Sequence, residues 1–95
     1  MTDLKEIASA LRSDRLSYSS LTDGSGVILD MGGLQILTLN STGSFLVQSL
    51  LAGNVDEAGL LESLMAEFEI DEIRAGADVQ EFLERLWNHL GLNGR

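Results

Sequence analysis

The chain has 95 residues, with 15 acidic and 6 basic side chains, a formal net charge of -9, and neither cysteine nor proline. This length allows one small domain, and the missing cysteines exclude disulfides, thiol catalysis and thiolate metal sites. The strong acidity argues against nucleic-acid binding, because contacts to phosphate depend on lysine and arginine.

The first part of the chain predicts a short helix and then a three-stranded meander. Apolar residues recur at helical spacing within Asp3–Leu11, which indicates an N-terminal helix. Three following segments are strand-like and are separated by glycine-rich turns, at Asp23–Gly26 and at Met31–Gly33. The predicted strands are Leu16–Leu21, Gly26–Asp30 and Leu34–Leu39.

The second part of the chain predicts three helices. Asn40 fits the N-cap of the first, and Gly53-Asn54 is a typical C-terminal signal. The second helix is predicted over Val55–Phe68, and the third opens at Asp71 or Glu72 and closes at Gly91. Their apolar faces are predicted to be Phe45, Leu46, Leu50 and Leu51, then Leu60, Leu61, Leu64, Met65 and Phe68, then Val79, Phe82, Leu83, Leu86 and Leu90. The fold class is therefore α+β, with a small antiparallel sheet followed by three helices.

Charge is distributed unevenly along the chain. No residue between Asp30 and Asp56 is charged, but this stretch holds too many Gln, Asn, Ser, Thr and Gly residues for a membrane span. The charged N-terminus lacks the apolar run of a signal peptide, so we expect a cytoplasmic protein that does not bind membranes. Most of the negative charge lies after Asn54, on the last two predicted helices.

The chain offers few candidates for catalysis or metal binding. Gly24-Ser25-Gly26 lacks the rest of a phosphate-loop motif, and His89 has no nucleophile or orienting acid near it in sequence. Trp87 fits either the core or an exposed anchor. A cluster of acids lacks the spacing of a calcium loop and is interpreted as a solvated helical face. Its members are Glu62, Glu67, Glu69, Asp71 and Glu72. We therefore predict no catalytic residue, no metal site and no cofactor.

An ordered set of motifs resembles the PqqD family, named for pyrroloquinoline quinone synthesis protein D. The set begins with Leu39-Asn40-Ser41-Thr42, continues through Leu46-Val47, Leu50 and Gly53, and ends with Asp78–Leu86 and Gly91-Leu92. The resemblance covers Arg15–Leu92, as a domain 15–92, and leaves residues 1–14 as an N-terminal extension. PqqD proteins share their fold with RiPP recognition elements, which bind the leaders of ribosomally synthesised, post-translationally modified peptides.

The resemblance implies a winged helix-turn-helix-like domain without catalytic activity. A leader peptide is expected to add as an antiparallel strand beside the third strand, in the groove next to the third helix. The implied partners are a precursor peptide and a maturation enzyme such as a radical SAM protein, a cyclase or a leader peptidase. The pathway would be pyrroloquinoline quinone, lasso-peptide or another peptide biosynthesis. The peptide-binding residues are expected to be Leu34, Gln35, Ile36, Leu37, Thr38, Asp78, Glu81, Phe82 and Arg85.

Each of these residues also has a purely structural interpretation. Leu37 fits the core of a buried hairpin, and Phe82 fits either the core or the wall of the groove. Asp78 and Arg85 either pair with charges of the leader or are simply solvated. An open edge strand can also pair with that of a second copy, so both a monomer and a homodimer stay open.

Other functional classes compete with peptide binding. Glu62-Ser63-Leu64 loosely resembles the attachment site of an acyl-carrier protein, but a β-hairpin is foreign to that all-helical fold. A winged-helix DNA-binding protein would need a basic recognition helix, and the predicted second and third helices are acidic. An acidic module that binds only other proteins is the remaining alternative.

Overall fold

A computed structural model describes residues 4–12, 16–31 and 35–89. One helix precedes three strands, and three helices follow them. The elements are α1 (Leu4–Arg12), β1 (Leu16–Ser20), β2 (Gly26–Asp30), β3 (Gln35–Leu39), α2 (Ser41–Leu51), α3 (Glu57–Phe68) and α4 (Glu72–His89). The predicted α+β class and the order of its elements are confirmed, and the N-terminal helix is present.

The sheet is antiparallel and its strands lie in sequence order, β1-β2-β3. Alternate residues face opposite sides of the sheet, as the pleat requires. On the central strand, Ile28 is fully buried under the helices and Leu29 is exposed on the outer face. Ile28 pairs across the sheet with Tyr18 and with Leu37, and this row forms the floor of the core.

Helices α1 and α2 pack against the sheet, α3 and α4 pack against α2, and together they enclose one hydrophobic core. Leu46, Leu50, Leu60, Leu64 and Leu86 are all fully buried within it. Partly buried aromatic rings seal the periphery, where Phe45 and Phe68 meet edge to face with centroids 5.6 Å apart.

The N-terminal helix α1 belongs to the same core. Its apolar side chains, including Ile7 and Leu11, are buried at the contact with β1 and α2. The Arg12 guanidinium also donates to the Leu51 carbonyl at the C-terminal end of α2, at 3.0 Å. A cation at that position satisfies a free carbonyl and opposes the negative end of the helix dipole.

The ends of α2 follow the signals in the sequence. The Asn40 side chain accepts a hydrogen bond from the Gly43 amide at 2.8 Å, which confirms the N-cap. Gly53 adopts a positive φ of 102°, and the Gly53 and Asn54 amides bond back to carbonyls of the last helical turn. This left-handed residue ends the helix as predicted.

The other boundaries differ slightly from the predicted ones. β1 ends at Ser20 rather than Leu21, because the Leu21 amide already belongs to the turn. Helix α3 begins at Glu57 rather than Val55, since Asp56 is still extended and acts as the N-cap residue. Helix α4 begins at Glu72, and the Asp71 carboxylate accepts from the Arg74 amide at 2.8 Å.

Some predictions lie outside the described residues. They are the Gly32-Gly33 turn, the contribution of Leu34 to the third strand, the end of the last helix at Leu90-Gly91, and the family positions Arg15 and Leu92. Within residues 4–12, 16–31 and 35–89, no helix is long and apolar enough to cross a bilayer.

Candidate functional site

The turn between β1 and β2 determines which backbone groups each strand directs toward its neighbours. The Leu21 amide donates to the Ser25 carbonyl at 2.8 Å, so the backbone groups of Ser25 are directed toward the β1 side. Alternate residues of an antiparallel strand direct their N–H and C=O groups to opposite sides. The register continues without interruption. The backbone N–H and C=O groups of Val27 and Leu29 are therefore directed toward β1, whereas those of Ile28 are directed toward β3.

The same alternation leaves one side of β3 open. Leu37 lies opposite Ile28 and therefore pairs with β2 through its backbone. Ile36 and Thr38 consequently direct their N–H and C=O groups away from the sheet. With β3 last in the strand order, these four groups form the outer edge of the sheet among the residues described, and no strand pairs with them there.

A contact from α4 agrees with this assignment. One guanidinium nitrogen of Arg85 donates to the Thr38 carbonyl at 2.9 Å, joining residues 47 positions apart. The contact lies at the surface, so Arg85 is neither simply solvated nor buried. It links one end of the β3 edge to the exposed face of α4 and brings the two predicted halves of the site together.

A small, shallow pocket of about 20 Å³ lies next to this contact. Its walls come from the α4 face predicted from the helical spacing and from the N-terminal end of α2. The lining residues are Asn40, Thr42, Gly43, Asp78, Glu81, Phe82 and Arg85. All four predicted α4 residues therefore share one concave surface beside the end of β3.

The burial of the site residues separates their roles. Leu37 is buried, so it contributes its side chain to the core and not to the surface. Phe82 is also buried in the core while one side lines the pocket, so the two alternatives for this ring are both realised. Glu81 is exposed, and Asp78 is half-buried with its carboxylate 3.8 Å from the Arg74 guanidinium.

The outer face of the sheet is apolar next to the open edge. Ile36 is 65% exposed and lies directly opposite Leu29, which is also exposed. An added strand would extend this row of side chains. Gln35 and Thr38 are exposed too, so β3 presents both its edge and its outer face to solvent.

Sequence reasoning missed the contribution of α2 to the pocket. The sequence predicts Asn40 as a helix cap and places Asn40 and Thr42 in the family motif, but none of Asn40, Thr42 and Gly43 is predicted as a site residue; all three line the pocket with α4. The signal was present, because Asn40 directly follows the last residue of β3. A residue that directly follows β3 and caps the next helix lies where the end of the strand meets the start of α2.

The remaining candidates are accounted for by structure. The Asp23 carboxylate accepts from the Ser25 amide and hydroxyl, so Asp23–Gly26 is a hydrogen-bonded turn. Trp87 is half-buried against the core, and Ser63 lies half-buried in the middle of α3. The acids of the predicted solvated face are all exposed, and within the described ranges no three metal-binding side chains come together. The His89 side chain lies outside the described residues.

Comparison with known proteins points to one family. The family described as coenzyme PQQ synthesis protein D (PqqD) matches residues 25–89, more than half of the chain. A solved structure described as TbiB1 in complex with the TbiA(beta) leader peptide superposes with a TM-score of 0.66 at 25% sequence identity. That similarity covers 80% of this chain and 86% of the other. No curated protein matches the chain.

Proposed function

The chain belongs to the PqqD family, and we propose that it is a non-catalytic adaptor that binds the leader of a ribosomally synthesised precursor peptide. The leader would add as a strand to β3 and would be presented to a modifying enzyme. The observation that carries this proposal is the open backbone edge of Ile36 and Thr38 beside the concave face of α4.

Backbone hydrogen bonds supply the first part of the interaction. An incoming antiparallel strand would pair with the N–H and C=O groups of Ile36 and Thr38, which gives affinity without a requirement for particular side chains. At the Thr38 carbonyl, an amide of the peptide would replace or share the position that the Arg85 guanidinium occupies. Displacing this contact costs little, because it lies at the surface, where water can solvate the guanidinium while the peptide amide takes over the carbonyl.

Side-chain pockets supply the second part. Alternate residues of the added strand would face the α4 surface, where Phe82 offers an aromatic wall and Asp78, Glu81 and Arg85 offer charge. The other residues would continue the outer face beside Ile36 and Leu29. We therefore expect a leader segment that is apolar on its outer face and that carries at least one basic residue toward Asp78 and Glu81.

The similarity to a leader-peptide complex supports this proposal. It also favours peptide binding over the acyl-carrier alternative, which has no role for a three-stranded sheet. In this chain the docking strand is uncharged while the flanking helix is acidic. That combination fits an adaptor in which the strand gives affinity and the helix selects the charge pattern of the peptide.

The proposal can be tested with the leader of the precursor peptide encoded beside this gene. Isotope-labelled full-length protein is titrated with the synthetic leader and amide shifts are followed by NMR. Shifts are expected at Gln35–Thr38 and along Asp78–Arg85, together with protection of the Ile36 amide from hydrogen exchange. A leader that binds without perturbing β3 would contradict strand addition.

Backbone methylation of the peptide sharpens this test without altering the protein. Two peptides of identical sequence are compared, each N-methylated at one of two adjacent positions in the bound segment. Because alternate amides point to opposite sides of a strand, only the peptide whose methyl group faces β3 should lose binding. Equal losses for both peptides would indicate that the leader binds in some other conformation.

A further inference from the structure

A second and larger cavity lies on the other side of α4. It occupies the space between α3 and α4, has a volume of about 490 Å³ and opens to solvent. Its lining residues are Glu57, Ala58, Leu61, Gly76, Val79 and Gln80. We call this cavity the α3–α4 groove. At about 100° per residue, its α4 side lies nearly opposite the face that carries Asp78 and Arg85.

The groove is apolar and incompletely filled. Ala58, Leu61 and Val79 form its walls, and apart from the chain neighbours and the backbone of α4 itself, no described heavy atom lies within 4 Å of the position that a Cβ at Gly76 would take. Ile73, one turn before Gly76, is 85% exposed and is the most exposed of the large hydrophobic residues described. An open apolar groove beside an exposed isoleucine is typical of a surface that receives another chain.

The charged side chain that lines the groove is acidic, and so are the charged residues one helical turn away from its lining. Glu57 lines it, and Glu62 and Glu84 follow Ala58 and Gln80 by one helical turn. Helix α3 contains no lysine or arginine. The arginines of α4 make contacts on the opposite face, where Arg74 lies beside Asp78 and Arg85 donates to Thr38.

This charge pattern determines which occupant fits. A second copy of the chain would bring the same acids and a net charge of -9 to the groove, so self-association there is opposed. A helix with an apolar stripe flanked by lysine or arginine complements both the walls and the rim. A groove between two helices also matches the shape of a third helix better than that of an extended strand.

We propose that the α3–α4 groove docks an amphipathic, basic helix of a partner protein. In conjunction with the proposed function, on which this identification rests, that partner is the modifying enzyme. Helix α4 would then bind the leader peptide on one face and the enzyme on the other. The two ligands would be held together without competing for the same surface.

The test uses full-length protein and synthetic helices of about 18 residues, long enough to fold on binding. One helix carries a leucine stripe flanked by lysines, and its matched control has glutamate at every lysine position. The lysine helix is expected to bind and to shift amides at residues 57–61 and 73–80, whereas the glutamate helix should not bind. Shifts spread over other acidic surfaces would overturn the proposal.

A substitution that fills the groove gives the decisive comparison. Gly76→Leu replaces a helix-weakening glycine and points into open space, so the variant should fold with an equal or higher Tm. It should weaken binding of the lysine helix by about tenfold or more. Ala66→Leu, on the exposed surface of α3 and outside the groove lining, is the matched control and should leave binding within about twofold. Equal binding by both variants would overturn the proposal, as would a groove-dependent dimer in sedimentation.

Leader binding, measured on the same samples, separates this inference from the proposed function. Gly76→Leu should keep the full affinity for the leader, since its effect is confined to the far face of α4. If the wild-type protein binds the lysine helix but not the leader, the groove stands and the strand-addition proposal fails. If Gly76→Leu weakens both ligands alike, the independence of the two faces is refuted.

Discussion

The two outer strands of the sheet differ in the contacts that hold them to the helices. β1 lies against α1, and its Tyr18 hydroxyl hydrogen-bonds to the fully buried Ser44 of α2 and accepts from Gln48 at 2.9 Å. β3 is linked to α4 through the exposed guanidinium of Arg85. A partly buried hydrogen-bond network therefore holds the first strand to α2, whereas an exposed hydrogen bond, of the kind that a ligand could replace, links the third strand to α4.

This difference indicates where the molecule tolerates an open edge. Natural sheets protect edge strands with charged residues or with covering elements, because an uncharged edge invites pairing with other chains. Every described residue of β3 is uncharged, and Ile36 is well exposed. Asp78 and Glu81 of α4 lie instead in the pocket beside the end of β3. An uncharged edge next to an acidic pocket would suit the peptide of complementary charge that is proposed above.

The largest expected effect comes from a proline at the β3 edge. Ile36→Pro removes the open N–H group of Ile36, which an added strand would need. We expect leader affinity to fall by at least about 100-fold, because the proline also keeps the peptide from continuing the ladder. Isothermal titration with the synthetic leader measures the loss.

A proline on the other edge is the matched control. The alternation that opens Ile36 also directs the Ser20 amide away from β2 at the end of β1. Ser20→Pro should therefore keep leader affinity within about threefold while imposing a similar local restriction. Circular dichroism must show both variants folded. Equal losses of affinity would mean that the two edges are not functionally distinct.

The next effect concerns the hydrogen bond that holds β1 to α2. Tyr18→Phe removes the partner of the buried Ser44 hydroxyl, so we expect the free energy of unfolding to fall by about 1–3 kcal/mol. Leader affinity should stay unchanged, because Tyr18 lies at the opposite edge of the sheet. Urea denaturation measures the stability. A marked loss of leader binding in a folded variant would contradict the separation of the two edges.

A smaller effect is expected from loss of the hydrogen bond that links β3 to α4. Arg85→Met keeps the apolar stem but removes the donor to the Thr38 carbonyl. Because the contact lies at the surface, stability should fall by less than about 1 kcal/mol and leader affinity should change by less than about fivefold. Parallel denaturation and titration test this. A loss as large as that of Ile36→Pro would make Arg85, rather than the backbone edge, the main determinant of binding.

The sequence predicted the helices, strands and caps of the site better than the tertiary contacts between them. The β-branched run of Gly26–Asp30 and the Asn40 cap are local signals, and both strand and cap are confirmed. The start of α3 was predicted too early because Val55 extends the apolar pattern, although the backbone becomes helical only after Asp56. The contact between Arg85 and Thr38 carries no local signal, since it joins residues 47 positions apart and depends on how α4 packs against α2 and α3. The α3–α4 groove likewise depends on helix packing around the missing side chain of Gly76.

The smallest effect is a pH dependence confined to the β1–β2 turn. The Ser25 hydroxyl and the Ser25 amide both donate to Asp23, and these bonds lower the pKa of that carboxyl below its ordinary value of 3.8. A carboxyl whose pKa is lowered by folding stabilises the folded state above that ordinary value. The stabilisation is lost as the pH falls through the lowered pKa. Wild type and Asp23→Asn should therefore differ in stability at neutral pH and converge in acid. Denaturation at several pH values measures the difference, and chemical shifts at Ser25 should follow the same titration.

Asp23 is fully exposed and lies at the turn before β2, so leader affinity in the Asp23→Asn variant should match that of wild type. A weakened affinity would mean that the geometry of this turn is transmitted across β2 to the open edge of β3.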